Sequence, residues 1–107
     1  MSLDVYLTRV QKTEVYCANI THNLGAMADA AGIYKELWRP DEIGIAKAHQ
    51  LVEPLRHGLA LLKDHHERFR KLNPENGWGS YEVLVKFVGD YIDACTDYQD
   101  ADVRVSR

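Results

Sequence analysis

Residues 45–62 have the sequence IAKAHQLVEPLRHGLALL, and this stretch decides the fold class. Its apolar side chains recur at intervals of three and four residues, which is the spacing of one face of an α-helix. The positions are Ile45, Ala48, Val52, Leu55, Leu59 and Leu62. Pro54 lies inside the pattern without changing its phase, so the stretch predicts one helix kinked at the proline. Asp41 is expected to cap the start of this helix.

Two further stretches have the same periodicity. Ser80 is expected to cap a last helix, since it precedes apolar residues at Tyr81, Leu84, Val88, Tyr91, Cys95 and Tyr98. An earlier helix is predicted from the apolar residues Ile20, Leu24, Met27, Ala31, Tyr34 and Trp38. Asn19 or Thr21 would cap its start, and Gly32 would take a left-handed conformation before a further short turn.

Both ends of the chain favour β-structure. Val5 and Leu7 alternate with polar neighbours, residues 13–17 are rich in β-branched and aromatic side chains, and residues 102–106 alternate like a short strand. The first two stretches form either a hairpin or one long irregular strand, because residues 10–12 suit a turn or a continuation. The prediction is a helix-dominated α+β fold. Its three main helices pack against a small sheet made from the N- and C-terminal strands, in a single globular domain over residues 1–107.

Composition and charge exclude several classes of protein. The formal net charge is −3, so no nucleic-acid partner is expected. No apolar run approaches the length of about 20 residues that a membrane helix needs, and the first residues lack a signal pattern. We therefore expect a cytoplasmic protein whose two cysteines, Cys17 and Cys95, are free and buried. Neither a metal site nor a cofactor is predicted, since no zinc-ligand spacing and no H-E-x-x-H motif occur.

The residues best suited to bind a ligand lie at the ends of the predicted elements. Candidate ligand-binding residues are Asn19, Thr21, His22, Asn23, Arg39, Asn76 and Trp78. The first four occupy a strand-to-helix junction, where free backbone N–H groups favour anionic or polar ligands. Arg39 follows a tryptophan on which it could stack, and Trp78 lies between two glycines. Each residue also has a purely structural explanation, as a helix cap, a surface ion pair or a packed ring.

Three functions remain open on these residues. The leading hypothesis is a pocket at the strand-to-helix junction that binds a small polar or anionic ligand, such as a metabolite or a nucleotide. The second is a protein-interaction module that forms a homo-oligomer through Phe87, Ile92 and Leu61, which lie beside the narrow apolar faces. The third is a small enzyme with His22 as general base near Tyr16 or Cys17. Catalysis is the least favoured, because no nucleophile is paired with a base.

Several motifs also resemble a family of small uncharacterised proteins encoded in bacterial and bacteriophage genomes. The resemblance rests on A-N-I-T-H-N-L at 18–24, G-I-Y at 32–34, L-W-R-P at 37–40 and N-P-E-N-G-W-G-S-Y at 73–81. It covers most of the chain. It implies a cytoplasmic accessory protein that binds a small metabolite or a nucleotide, and it implies no established activity.

Overall fold

A computed structural model describes residues 2–9 and 13–107. The strands are β1 (Ser2–Arg9), β2 (Thr13–Thr21) and β3 (Asp102–Ser106). The helices are α1 (Gly25–Ala30), α2 (Tyr34–Trp38), α3 (His49–Asp64), α4 (His66–Arg70) and α5 (Tyr81–Asp97), with short 3₁₀ turns at His22–Leu24 and Pro40–Ile43. The predicted helix-dominated α+β class is therefore confirmed.

The three strands form one antiparallel sheet in the order β2-β1-β3. Since β1 pairs with β2, the first two stretches are separate strands rather than one long strand, and the proposed turn at residues 10–12 lies outside the described residues. Leu3, Val5 and Leu7 alternate along β1 and are fully buried, so this face of the sheet forms one wall of the core. The residues between them, Asp4 and Tyr6, lie on the opposite face and are partly exposed.

The long helices α3 and α5 pack together on the inner side of the sheet. They bury Leu51, Leu55 and Leu62 from α3, and a tyrosine-rich face that includes Tyr91 from α5. Gly58 lies on α3 where a Cβ atom would overlap the Cγ2 methyl of buried Ile33. The glycine therefore allows α3 to approach the segment before α2 closely, and this packing compensates for its low helix propensity.

The predicted first helix is the element that the structure corrects most. Strand β2 continues to Thr21, and Ile20 pairs with Leu3 instead of starting a helix. Helical structure then comes in short pieces, because Gly32 takes a left-handed conformation (φ 78°) between α1 and α2. The two longest helices among the described residues are thus α3 and α5, and the predicted first helix is divided into shorter pieces. The sheet includes β2 as well as the terminal strands β1 and β3, so it is not made from the chain ends alone. The prediction of a left-handed Gly32 is confirmed.

The start of α3 also differs from the prediction. The helix begins at His49, so Ile45 precedes it, and Asp41 belongs to the 3₁₀ turn rather than capping α3. The side-chain oxygen of Gln50 reaches back to accept hydrogen bonds from the backbone N–H groups of Ala46 and Lys47, at 2.8 and 2.9 Å. The helix is continuous through Pro54, as the phase of its apolar residues predicted.

Two predictions about exposure are wrong. Cys95 is buried, but Cys17 is exposed, because it pairs with Tyr6 on the outer face of the sheet. Phe87 and Ile92, proposed for an oligomer surface, are 7% and 6% exposed and belong to the core. They are buried because the apolar face of α5 that meets the sheet is wider than the narrow stripe assumed from the sequence.

Candidate functional site

A cleft of about 520 Å³ opens at the corner of the molecule where β2 ends. It lies between the end of the β1–β2 pair and the loop that precedes α5. Its lining residues are Ser2, Asn19, Thr21, Asn23, Asn76 and Trp78. Five of the seven residues predicted from the sequence are therefore brought together here from separate parts of the chain. We call this site the asparagine–tryptophan cleft.

The strand pairing positions three of the lining side chains. Thr21 lies opposite Ser2 in the register of β1 and β2, and Asn19 lies two residues earlier on the same side of β2. Ile20, between them, points into the core and is 3% exposed. Ser2 is the lining residue that sequence reasoning missed. No local signal marks it, because its place in the cleft depends entirely on the register with β2.

The end of β2 turns the chain sharply so that Asn23 also faces the cleft. The Thr21 hydroxyl accepts a hydrogen bond from the backbone N–H of Asn23 at 3.3 Å, which caps the 3₁₀ turn His22–Leu24. Of the two predicted caps, Thr21 is the one used. Because Thr21 and Asn23 both line the cleft, the intervening His22 is directed elsewhere.

The loop before α5 packs directly on the end of β2. Its contact residue is Gly79, where a Cβ atom would lie 2.8 Å from Thr21 Cγ2 and 2.9 Å from Leu24 Cγ. Gly79 also has a φ of 99°, which L side chains rarely adopt. Both constraints require glycine at this position. Of the two glycines that flank Trp78, Gly79 is therefore the one that combines close approach with a positive φ.

Trp78 is held at the rim of the cleft by a local turn. Its backbone N–H donates to the side-chain oxygen of Asn76 at 2.9 Å, and its ring is 68% exposed. A large apolar ring this exposed does not contribute to the core. The structural alternative for Trp78, a packed ring, is therefore wrong, and its indole is exposed at the rim of the cleft.

The start of α5 lies next to this loop, and side chains of the protein accept hydrogen bonds from two of its first backbone N–H groups. The N–H of Tyr81 donates to Asn73 Oδ1 at 2.8 Å, and the N–H of Val83 donates to Ser80 Oγ at 3.3 Å. The predicted Ser80 cap is confirmed. These amides are therefore already occupied, and the lining of the cleft contains no charged side chain.

His22 and Arg39 do not line the cleft. The His22 ring meets the edge of Trp38 at a centroid distance of 6.1 Å, and its Nε2 atom is buried with no hydrogen-bond partner among the described residues. Arg39 pairs with Glu42 at 2.8 Å, and this carboxylate, with the hydroxyl of Tyr34, raises the pKa of the guanidinium. The structure thus brings the Trp78 indole and the asparagine amides together in the cleft, while the side chains of His22 and Arg39 lie outside it.

The residues suggested for catalysis are also separated. Tyr16 stacks on Tyr91 at 5.9 Å on the inner side of the sheet, and burial raises the pKa of Tyr16, with a further contribution from Asp90. Cys17 lies on the outer face, where a hydrogen bond with Glu14 raises the pKa of its thiol. His22 contacts neither group. This arrangement offers no nucleophile paired with a base at His22.

Neither a metal cluster nor a membrane span emerges from residues 2–9 and 13–107. Within these ranges, no three His, Cys, Asp or Glu side chains gather closely enough to hold a metal ion. No helix described there is both long and apolar enough to cross a bilayer.

The chain matches no protein-family model, no curated protein and no solved structure. The resemblance to bacterial and bacteriophage proteins therefore stays an expectation.

Proposed function

We propose that the asparagine–tryptophan cleft binds a small polar ligand that stacks one flat face on Trp78. The observation that carries this proposal is the convergence of Asn19, Asn23 and Asn76 around one exposed indole. Purely structural caps and loop residues have no need to share a cleft. These three amides come from a strand, a 3₁₀ turn and a distant loop.

The amides supply hydrogen bonds of both kinds. Each asparagine side chain offers two N–H donors and one carbonyl acceptor. Within the described residues, the amides of Asn19 and Asn23 make no hydrogen bond to the protein, while Asn76 uses only its oxygen, to Trp78 N–H. Donor and acceptor capacity thus remains directed at the cleft. Such a set suits a ligand whose edge presents carbonyl, amide or hydroxyl groups.

The electrostatics favour a ligand that is neutral where it meets the protein. No Lys, Arg, Asp or Glu lines the cleft, and Arg39 is engaged with Glu42. Fixed charge and free helix amides, the usual means of holding an anion, are both lacking among the lining residues. The proposal therefore narrows the sequence-based hypothesis of a polar or anionic ligand to a neutral polar one.

Trp78 adds a stacking surface. An aromatic platform stabilises a stacked nucleobase by about 1–3 kcal/mol, and it needs no particular hydrogen-bond pattern to do so. The flat faces of a nucleobase and of a sugar ring both fit this requirement. The shared chemistry is a small ring with a polar, uncharged edge, and the cleft is open enough that we expect weak binding.

Tryptophan fluorescence gives a direct test because the two indoles have different environments. Trp38 is 2% exposed and Trp78 is 68% exposed, so a ligand on the cleft changes only the solvent-exposed part of the emission. Titration with neutral nucleosides in one series and with neutral monosaccharides in another separates the two ring types. We expect saturable quenching by one series. Quenching should be lost in the Trp78→Phe variant if Trp78 is the reporter.

Two substitutions locate the binding. Asn19→Ala should weaken binding about tenfold, the loss expected for a hydrogen bond of about 1.4 kcal/mol. Gln99→Ala is the matched control, since Gln99 is an exposed amide beyond the other end of α5. Equal weakening in both variants, or no change in emission with either series, would refute the proposal. Saturation by inorganic phosphate instead would show that the ligand is an anion.

A further inference from the structure

Strand β2 has an unusually unprotected outer edge. The strand order β2-β1-β3 leaves it at the border of the sheet, and it is nine residues long. It contains no proline and no lysine, and Glu14 is its only charged residue. In the described part of the chain, no backbone hydrogen bond reaches β2 from beyond the sheet. Its one irregularity is a β-bulge at Val15, where the register with β1 shifts. Long edge strands with so little protection are prone to pair with another strand.

The opposite border of the sheet shows the contrast. Strand β3 has only five residues, and the N–H of Val103 donates to the carbonyl of Ala46 at 2.9 Å. The side chains of Lys47 and Asp102 form an ion pair along the same border. One border is therefore short, charged and partly covered, while the other is long and nearly uncharged.

A groove of about 240 Å³ runs between the β2 border and helix α5. We call it the edge groove. Tyr16, Ala18 and Asn19 line it from β2, and Val83, Lys86, Phe87 and Asp90 line it from α5. Val83 is 47% exposed, and the groove is mostly apolar between these two elements. An added strand would therefore gain side-chain contacts as well as backbone hydrogen bonds.

We propose that the edge groove and the β2 border form the interface of a two-fold homodimer, in which β2 pairs antiparallel with β2 of a second copy. A two-fold axis perpendicular to the sheet reverses both the strand and the helix, so the pairing is antiparallel and the two sheets join into one of six strands. Both sets of helices then lie on the same side of the joined sheet.

The dimensions of the elements bring the two α5 helices together. Neighbouring strands lie about 4.8 Å apart and a helix with its side chains is about 10 Å across, so one helix covers the width of two strands. Helix α5 packs on β2, the strand next to the axis. Its symmetry mate lies across the axis on the same side of the joined sheet, and the usual distance of about 8–10 Å between packed helices requires each α5 to lie about 4–5 Å from that axis, toward the β1 side of β2.

Charge identifies a second copy as the occupant. Lys86 and Asp90 lie one turn apart on the face of α5 that lines the edge groove, and they pair at 2.9 Å. Antiparallel helices related by an axis between these positions bring Lys86 of each copy beside Asp90 of the other. The surface is thus complementary to itself, which an isologous interface requires. A single extended peptide would contact the strand but would not place opposite charges along α5.

The charges also provide the test. Light scattering or sedimentation velocity, from low-micromolar to near-millimolar protein, should show a dimer that dissociates on dilution. Lys86→Glu and Asp90→Lys should each weaken it on the order of tenfold, since each leaves like charges facing across two symmetric pairs. The double variant K86E/D90K restores opposite charges and should dimerise like the original chain. Both side chains are well exposed, so the monomer fold should survive.

A matched control is available on α3. Arg56 pairs with Glu53 in a similarly exposed position, and Arg56→Glu should leave dimerisation unchanged. Hydrogen exchange provides the location, because the amides of residues 13–21 should gain protection as protein concentration rises. A monomer at all concentrations would overturn the proposal. So would a dimer insensitive to the charge reversals, or one that gives residues 13–21 no added protection. Asn19 lines both the edge groove and the asparagine–tryptophan cleft, so ligand binding is measured at protein concentrations at which the chain is monomeric, and the failure of one proposal is then distinguishable from the failure of the other.

Discussion

The surroundings of the two tryptophans differ in a way that separates scaffold from site. Trp38 is 2% exposed, stacks on Tyr34 at a centroid distance of 5.3 Å and makes a T-shaped contact with His22. Trp78 is 68% exposed and stands at the rim of a cleft lined by amides. The same type of side chain thus completes the core in one region and is exposed at the rim of a cleft in the other.

The polar neighbours of each ring follow the same division. Beside Trp38, the carbonyl of Trp38 accepts a hydrogen bond from Arg107 at 3.1 Å, and Arg107 also pairs with Asp41. Around Trp78, hydrogen-bonding groups of Asn19 and Asn23 remain without partners in the described part of the chain. The backbone carbonyl of Trp38 is therefore bonded within the fold, while the side-chain amides of Asn19 and Asn23 near Trp78 are not.

Replacing each tryptophan by alanine should give the largest difference. Trp38→Ala removes a buried ring and should lower the free energy of unfolding by about 3–5 kcal/mol. Trp78→Ala removes an exposed ring and should change it by less than about 0.5 kcal/mol, while abolishing binding at the cleft. Urea unfolding followed by circular dichroism measures both values. Similar losses in the two variants would show that Trp78 also supports the fold.

The two mid-helix glycines allow a second comparison between covered and open positions. Gly58→Ala introduces a methyl group into the space of Ile33 and should destabilise the protein by about 1–3 kcal/mol. Gly89→Ala, on α5, meets no atom within 4 Å and should stabilise it by up to about 1 kcal/mol through helix propensity. Opposite signs in thermal unfolding are expected. Stabilisation by Gly58→Ala would contradict the close packing of α3 against Ile33.

The long helices and the terminal strand could be predicted because each has a strong local pattern. The apolar spacing of α5 and the Ser80 cap fix its start, and β3 alternates over the same residues that form the strand. The segment around Ile20 could not be predicted. Its helical spacing is real from Leu24 onward, but pairing with β1 keeps Ile20 and Thr21 extended. Tertiary pairing overrides local periodicity where the two compete.

The cleft could be predicted in part for a related reason. Asn19, Asn23 and Asn76 stood out because they lie at element ends, where side chains escape the core. The direction in which each side chain points could not be predicted. Thr21 and Asn23 point into the cleft, and the His22 side chain between them points away from it. Arg39 does not line the cleft and forms a surface ion pair with Glu42, which is the structural explanation that its sequence context also permits. The register that adds Ser2 depends on long-range pairing and leaves no local signal.

Two glycines of the loop test how the platform is held. Gly79→Ala must overcome both a φ of 99° and contact with Thr21 and Leu24, so we expect a loss of stability of about 1–2 kcal/mol together with loss of ligand binding. Gly77→Ala is the control: its φ is 74°, but a methyl group there meets no atom within 4 Å. Titration with nucleosides or sugars measures ligand binding, and chemical unfolding in a separate experiment measures stability. Equal losses of ligand binding in the two variants would show that the contact of Gly79 with the end of β2 does not position Trp78.

The two cysteines allow a further comparison between a buried and an exposed side chain, and here the expected effect, a change in alkylation rate, is the smallest. Cys95 is buried, and burial raises the pKa of its thiol to about 12, so it should resist alkylation in the folded protein. Cys17 is exposed, but the pKa of its thiol is raised chiefly by a hydrogen bond to the Glu14 carboxylate, with further repulsion from the same charge. The thiolate is the reactive form, so a raised pKa leaves less of it at neutral pH and moves the rise in reactivity to higher pH.

Glu14→Gln removes the negative charge and should therefore shift the pH profile of Cys17 alkylation by iodoacetamide to lower pH, with a rate at neutral pH that is several-fold higher. Mass spectrometry of the labelled peptides measures both sites in one experiment. An unchanged profile would mean that Glu14 does not control the thiol, and labelling of Cys95 at a comparable rate would mean that the face of α5 against the sheet opens to solvent.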